Sequence, residues 1–152
     1  MIGNTLENTP LKIAIVAGER SGDELGAPLM KSLKSINPSI EFVGVGGSKM
    51  TSEGLESYFD MSEISVMGII EPLLNLRKLL KLRKGLKKYL HHQKPDIFIG
   101  IDSPDFNLPI AYFLKKNLQI KTIQYVSPSV WAWRKGRIKS MVRSIDSVLT
   151  LF

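Results

Sequence analysis

The chain has 152 residues, 43% apolar and 23% charged, with a formal net charge of +7 and no cysteine. That length and composition suit one compact globular domain with a substantial core. The missing cysteines exclude disulfides and thiolate metal sites and leave a reducing compartment unproblematic.

Met1 to Leu11 reads as a flexible tail, too polar to be a secretory signal. Lys12-Ile-Ala-Ile-Val-Ala17 is the first predicted strand. Gly18-Glu-Arg-Ser-Gly-Asp23 then reads as a tight turn, followed by a helix to about Ile36 that Asn37-Pro38 ends. Glycines between a strand and a helix let an anion approach the unpaired N–H groups of the helix start. The pattern is neither Gly-x-Gly-x-x-Gly nor a P-loop. Two readings stand: contact with a ligand through Gly18, Glu19, Ser21, Gly22 and Asp23, or a plain turn capped by Ser21 or Asp23.

Glu41 to Val45 is the second strand, opening into Gly46-Gly47-Ser48, with a short helix near Lys49 to Glu53. Residues 55–67 predict one short strand and a loop. Pro72 opens a helix that runs to about His91. Arg77, Lys81, Lys84 and Lys88 recur on one face of it, and Leu76, Leu79, Leu80, Leu86 and Leu90 occupy the other. Residues 65–90 hold seven basic residues against Glu71 alone, a local excess of +6 that carries nearly all the net charge. A solvated surface helix explains this, and so does an anionic partner. The apolar run Val66-Met-Gly-Ile-Ile70 just before it favours a membrane-surface site made by Met67, Ile69, Arg77, Lys78, Lys81, Lys84 and Lys88. No apolar stretch is long enough to cross a bilayer, so the default location is the cytoplasm. His91 and His92 suit the helix C-terminus, and with no third ligand at metal spacing no metal site is expected.

Ile97-Phe-Ile-Gly-Ile101 is an apolar run without alternation, as in a parallel strand covered on both faces. It stops at Asp102, and Pro104 bars its continuation. A carboxylate at the carboxyl end of a central strand can act as a general base; the alternative is a carboxylate that caps a helix or bonds loop amides. Leu108 to Lys116 predicts a helix capped by Asn107 or Asp105, and Asp105 looks the better cap. Lys121 to Val126 is another strand. Ser127-Pro-Ser-Val-Trp-Ala-Trp-Arg134 follows, in which Trp131 offers a stacking surface and Arg134 a phosphate ligand, or the tryptophans plug a domain edge. A basic helix near Lys135 to Arg143 precedes a last strand from Ser147 to Phe152, expected to be buried. Alternating strands and helices predict an α/β, Rossmann-like, mostly parallel sheet with helices on both faces. Gly18, Gly46, Asp102 and Ser127 then share the carboxyl-end rim. The apolar end of the chain reads as the edge of a first domain in a longer protein.

Taken together, the stretches around Gly18-Glu-Arg-Ser-Gly-Asp23, Phe42-Val-Gly-Val-Gly-Gly47, Val66-Met-Gly-Ile-Ile-Glu71, Gly100-Ile-Asp-Ser-Pro-Asp-Phe-Asn107 and Tyr125-Val-Ser-Pro-Ser-Val-Trp-Ala-Trp-Arg134 resemble the lipid-A-disaccharide synthases. The resemblance covers nearly the whole chain from Ile13 and rests most on Ser-Pro-Ser-Val-Trp-Ala-Trp. It implies the N-terminal, acceptor-side domain of a GT-B glycosyltransferase, here residues 12–152, without the donor-nucleotide domain. It implies transfer from UDP-2,3-diacylglucosamine to 2,3-diacylglucosamine 1-phosphate (lipid X), with inversion, at the inner face of the cytoplasmic membrane. Asp102 becomes the expected base. Gly18, Glu19, Ser21, Gly22, Asp23, Gly46, Asn107, Ser127, Ser129, Trp131 and Arg134 become expected substrate contacts. No cofactor is implied, and the isolated chain is expected to be inactive. Two other classes fit the residues less well: a non-catalytic lipid- or nucleotide-binding module, and a nucleic-acid binder using the basic helix, for which no reader motif is present.

Overall fold

The computed structural model describes residues 10–69, 75–126 and 135–150. Six strands form one sheet: β1 (Lys12–Ala17), β2 (Glu41–Val45), β3 (Glu56–Ser57), β4 (Ile97–Ile101), β5 (Lys121–Tyr125) and β6 (Ser147–Leu149). Their order is β3-β2-β1-β4-β5-β6 and every pairing is parallel. β1 lies between β2 and β4, with Ile13 opposite Phe42 on one side and Ile97 on the other. The helices are α1 (Arg20–Ile36), α2 (Ser48–Ser52), α3 (Ser62–Ile69), α4 (Leu76–Gln93), α5 (Pro104–Leu118) and α6 (Lys135–Ser144). The α/β, Rossmann-like reading holds.

Successive strand residues face opposite sides of a sheet, and both sides here are apolar. Ile13, Ile15 and Ala17 of β1 join Ile99 and Ile101 of β4 against Met30 of α1 and Met50 of α2. Ala14, Val16 and Phe98 point the other way, onto Leu86 and Leu90 of α4 and Ile110 and Leu114 of α5. Each large aliphatic side chain so buried contributes about 1.5–3 kcal/mol. Gly44 of β2 has φ +142, and a Cβ there would strike the Ile15 carbonyl oxygen of β1, so only glycine keeps this strand in register.

Several boundaries differ from the sequence reading. α1 begins at Arg20, so Ser21, Gly22 and Asp23 are helical rather than part of the turn. Residues 55–67 are expected as one short strand and a loop; the strand is β3, but α3 occupies Ser62–Ile69. The start expected for α4 at Pro72 lies outside the described residues, and the helix ends at Gln93, two residues later than expected, where Lys94 takes a left-handed φ of 49 before Pro95. α5 starts four residues early. Pro104 fits its first turn, where the missing N–H is not needed, and Ser103 is the N-cap. Neither Asp105 nor Asn107 is the cap. β6 is at the sheet edge and exposed, not buried, with Val148 and Leu149 each about 40% accessible.

Candidate active site

The carboxyl ends of β1, β2 and β4 bring together three of the loops singled out in the sequence. Gly18 follows β1, and a Cβ on it would sit 3.0 Å from the Ser103 hydroxyl that follows β4. The Gly18 carbonyl accepts from Ser65 Oγ of α3 at 2.9 Å, so α3 braces the same rim. Gly46, after β2, is buried and donates its N–H to Ser57 Oγ at 3.2 Å. Gly22 packs inside the first turn of α1 against Ala17. Glu19 is the exposed N-cap residue of α1, and its side chain makes no capping hydrogen bond.

Asp102 stands at this rim, half-buried, at the end of the central strand β4. Ser21 Oγ, in the first turn of α1, lies at 3.5 Å from Asp102 Oδ2, a long hydrogen bond. The backbone here is unusual. Asp102 has φ 50 and Ser103 φ 39, two consecutive non-glycine residues in the left-handed region. The Asp102 N–H donates to the Tyr125 carbonyl at 3.1 Å. Its own carbonyl accepts from Asn107 Nδ2 at 3.0 Å and from Gln124 Nε2 at 2.9 Å.

Two expected substrate contacts are committed elsewhere. Asp23 is 4% exposed, and its carboxylate accepts the N–H groups of Gly47, Lys49 and Met50 at 2.9, 3.1 and 3.0 Å. It caps the start of α2, and not its own turn and helix as the sequence reading allowed. Asn107 is fully buried, and its amide also reaches the Val16 and Ile101 carbonyls at 3.4 and 3.3 Å. Ser127, Ser129, Trp131 and Arg134 lie outside the described residues. Gln124 is the residue that reading the chain missed. The one signal was a polar residue in a buried strand beside Gly100, its register partner on β4. Among the described residues, no group of three His, Cys, Asp or Glu is placed to hold a metal ion.

α4 carries the basic patch. Leu86 and Leu90 are fully buried and Leu79 partly so, but Leu76 and Leu80 are 47% and 43% exposed, which corrects their assignment to the inner face. Arg77, Lys84 and Lys88 are exposed, as is Lys81. At 3.6 residues per turn these four lie within about 60° of arc, beside Leu80. Arg83 and Lys87 turn inward. Burial lowers the pKa of both, and Arg83 lowers that of Lys87 further. Lys78 and Lys81 border a cavity of about 580 Å³ that Tyr58, Phe59 and Leu82 also line. The sides of Met67 and Ile69 are outside the described residues, although both lie within α3. Among the described residues no helix is long and apolar enough to cross a membrane.

The family described as lipid-A-disaccharide synthetase matches residues 13–152. A lipid-A-disaccharide synthase of Pseudomonas fluorescens is 57% identical over 141 residues, covering 93% of this chain and 37% of the relative. Those of Idiomarina loihiensis and Alcanivorax borkumensis are 55% and 54% identical, covering 95% of this chain and 38% and 37% of their own lengths. The chain thus spans under two-fifths of the curated relatives it matches. A match over nearly every residue from Ile13 onward, on a parallel sheet whose rim gathers the matched loops, decides the matter: the chain belongs to the lipid-A-disaccharide synthetase family.

Proposed function

We propose that this chain is the acceptor-side, N-terminal domain of a GT-B glycosyltransferase that joins UDP-2,3-diacylglucosamine to lipid X. The observation that carries the reading is the Asp102 carboxylate, set on a rigid strand end at the rim and open towards the start of α1. In a single displacement, the 6-hydroxyl oxygen of lipid X attacks the anomeric carbon of the donor. The bond from that carbon to the UDP oxygen breaks, and UDP leaves with the electron pair, so the configuration inverts. The hydroxyl proton must leave as the new bond forms, and Asp102 accepts it. Glu19 and Ser21 lie where sugar hydroxyls would meet the same rim. We assign donor-nucleotide binding to the larger part of the relatives' length, outside the match, and no cofactor to the reaction.

Both substrates carry acyl chains, so the domain works at a membrane surface, which we place at the inner face of the cytoplasmic membrane. The exposed face of α4, with four cations beside Leu80, supports that orientation. The cavity between Tyr58 and Lys81 has a largely apolar wall, with Glu63 as well as Lys78 and Lys81 at its border, and the apolar wall suits an acyl chain.

The test is Asp102→Asn in the full-length protein carrying this domain. Asparagine keeps the shape and cannot take the proton, so turnover falls by roughly 10² to 10⁴ while lipid X affinity changes little. Near-parental turnover in a folded protein would overturn the reading, and Glu19 would be the next carboxylate to test. Asp23 no longer qualifies, because three backbone N–H groups occupy it.

A further inference from the structure

We propose that Gln124 and Asn107 are positioning residues for Asp102: their side-chain amides clamp its backbone carbonyl and so set the direction of its carboxylate. The inference rests on Asp102 being the base.

Left-handed backbone is unfavourable for any residue with a Cβ, and two such residues in a row persist only when the surroundings over-determine them. The surroundings here are the two amides. Gln124 comes from β5 and Asn107 from α5, and they meet on one carbonyl at 2.9 and 3.0 Å. The donor assignment follows from the partners. Asn107 Nδ2 faces three carbonyl oxygens, which an amide oxygen would not tolerate, and Gln124 Nε2 faces the same Asp102 oxygen. With that carbonyl fixed and the N–H of Asp102 held by Tyr125, both peptide groups that flank its Cα are anchored. The side chain is left to project towards Ser21.

Stability alone does not account for this arrangement. Both side chains are fully buried, yet Asn107 Oδ1 and Gln124 Oε1 have no hydrogen-bond partner among the described residues. Orphaned buried acceptors destabilise a fold, and an apolar pair of the same size would avoid that. Room for the two amides also requires Gly100. A Cβ there would lie 2.9 Å from Gln124 Oε1 and 3.0 Å from Asn107 Cβ. Gly100, Asn107 and Gln124 thus form one device, buried under the strand end, whose outward product is the pose of Asp102.

The experiment uses the full-length enzyme and compares Gln124→Met, Gln124→Met with Ser103→Gly, and Asp102→Asn. Methionine fills the space without donating. The expected result is a folded Gln124→Met protein whose kcat falls about 10- to 100-fold, since small misplacements of a catalytic group have effects of that size. KM for lipid X stays within about twofold, because the binding surface is untouched. Ser103→Gly removes the steric objection to left-handed backbone beside Asp102, so the double variant recovers part of kcat. A packing residue would show none of this: its loss would lower the thermal midpoint and leave kcat alone at lower temperature. Parental kcat in Gln124→Met alongside an inactive Asp102→Asn overturns the inference, as does a Gln124→Met chain that does not fold. Parental kcat in Asp102→Asn overturns instead the reading on which it rests.

Discussion

Asp23 in α1 and Gly47, just before α2, are joined by a 2.9 Å hydrogen bond from the glycine N–H to a carboxylate that is 4% exposed. The same carboxylate takes two further N–H groups of α2. Asp23→Ala leaves three donors without this partner. Lost caps cost about 0.5–2 kcal/mol and hydrogen bonds to charged groups somewhat more, so a loss of about 2–3 kcal/mol is expected in urea titrations. An unchanged midpoint would show that α2 does not depend on the cap.

Gly44→Ala is expected to abolish folding. The added methyl would meet the Ile15 carbonyl oxygen at a φ of +142, in the middle of the sheet. Soluble expression and the circular dichroism of the variant check this. A native-like spectrum would mean that β1 and β2 can part without loss of the fold.

Asp146 links the α6–β6 corner to α5 and β5. Its carboxylate is 2.8 Å from Lys115 Nζ and accepts the Thr122 N–H at 2.9 Å. The Lys115 hydrogen bond, with the Thr122 N–H second, holds its pKa below the ordinary 3.8. The folded carboxyl therefore binds its proton less readily than the unfolded one. Its contribution is present above the ordinary carboxylate range and declines as pH falls through that range to the folded value. Asp146→Asn should lower the thermal midpoint near neutral pH, and its midpoint should fall less steeply than the parent's between about pH 5 and pH 3. Parallel curves would show that the pair adds nothing. The carboxylate is partly exposed, so the effect is modest and shrinks with salt.

Reversing Arg77, Lys81, Lys84 and Lys88 to Glu should abolish sedimentation with anionic vesicles. Each cation near such a surface contributes on the order of 1 kcal/mol. All four are exposed, so the reversal should leave the thermal midpoint within a few degrees. Leu80→Ser in the same assay separates insertion from charge. Equal binding by parent and charge-reversed protein would rule the face out.

The order of strands and most helices could be read along the chain, because apolar runs and Gly/Pro breaks are local. α3 could not: its sequence is nearly uniformly apolar after Glu63, which gives no periodicity to separate helix from strand. Leu76 and Leu80 share the leucine spacing of the inner residues, but which arc of α4 meets the sheet is set by tertiary packing that the spacing does not carry. Asp102 stood out in the sequence since an acid ending an apolar strand is visible locally. Its clamp did not, since Gln124 and Asn107 meet it only through β5 pairing with β4 and α5 folding back. The role of Asp23 was open for the same reason: the N–H groups it caps are 24 to 27 residues away.

The central place of β1 shapes how the chain is made on the ribosome. Lys12 of β1 donates to Asp96, at the entry to β4, across 84 residues of sequence. At synthesis rates of about 5–20 residues per second, β4 emerges on the order of ten seconds after β1. During that interval β1 and β2 can pair with α1 packed on one face, but α4 follows only shortly before β4, α5 is not yet made to cover Ala14 and Val16, and one edge of β1 is bare. The nascent domain thus spends its early life with its most buried strand as an open, apolar template. Trigger-type chaperones that shield extended apolar segments should raise its yield most during synthesis, and slowing translation between β2 and β4 should lower it.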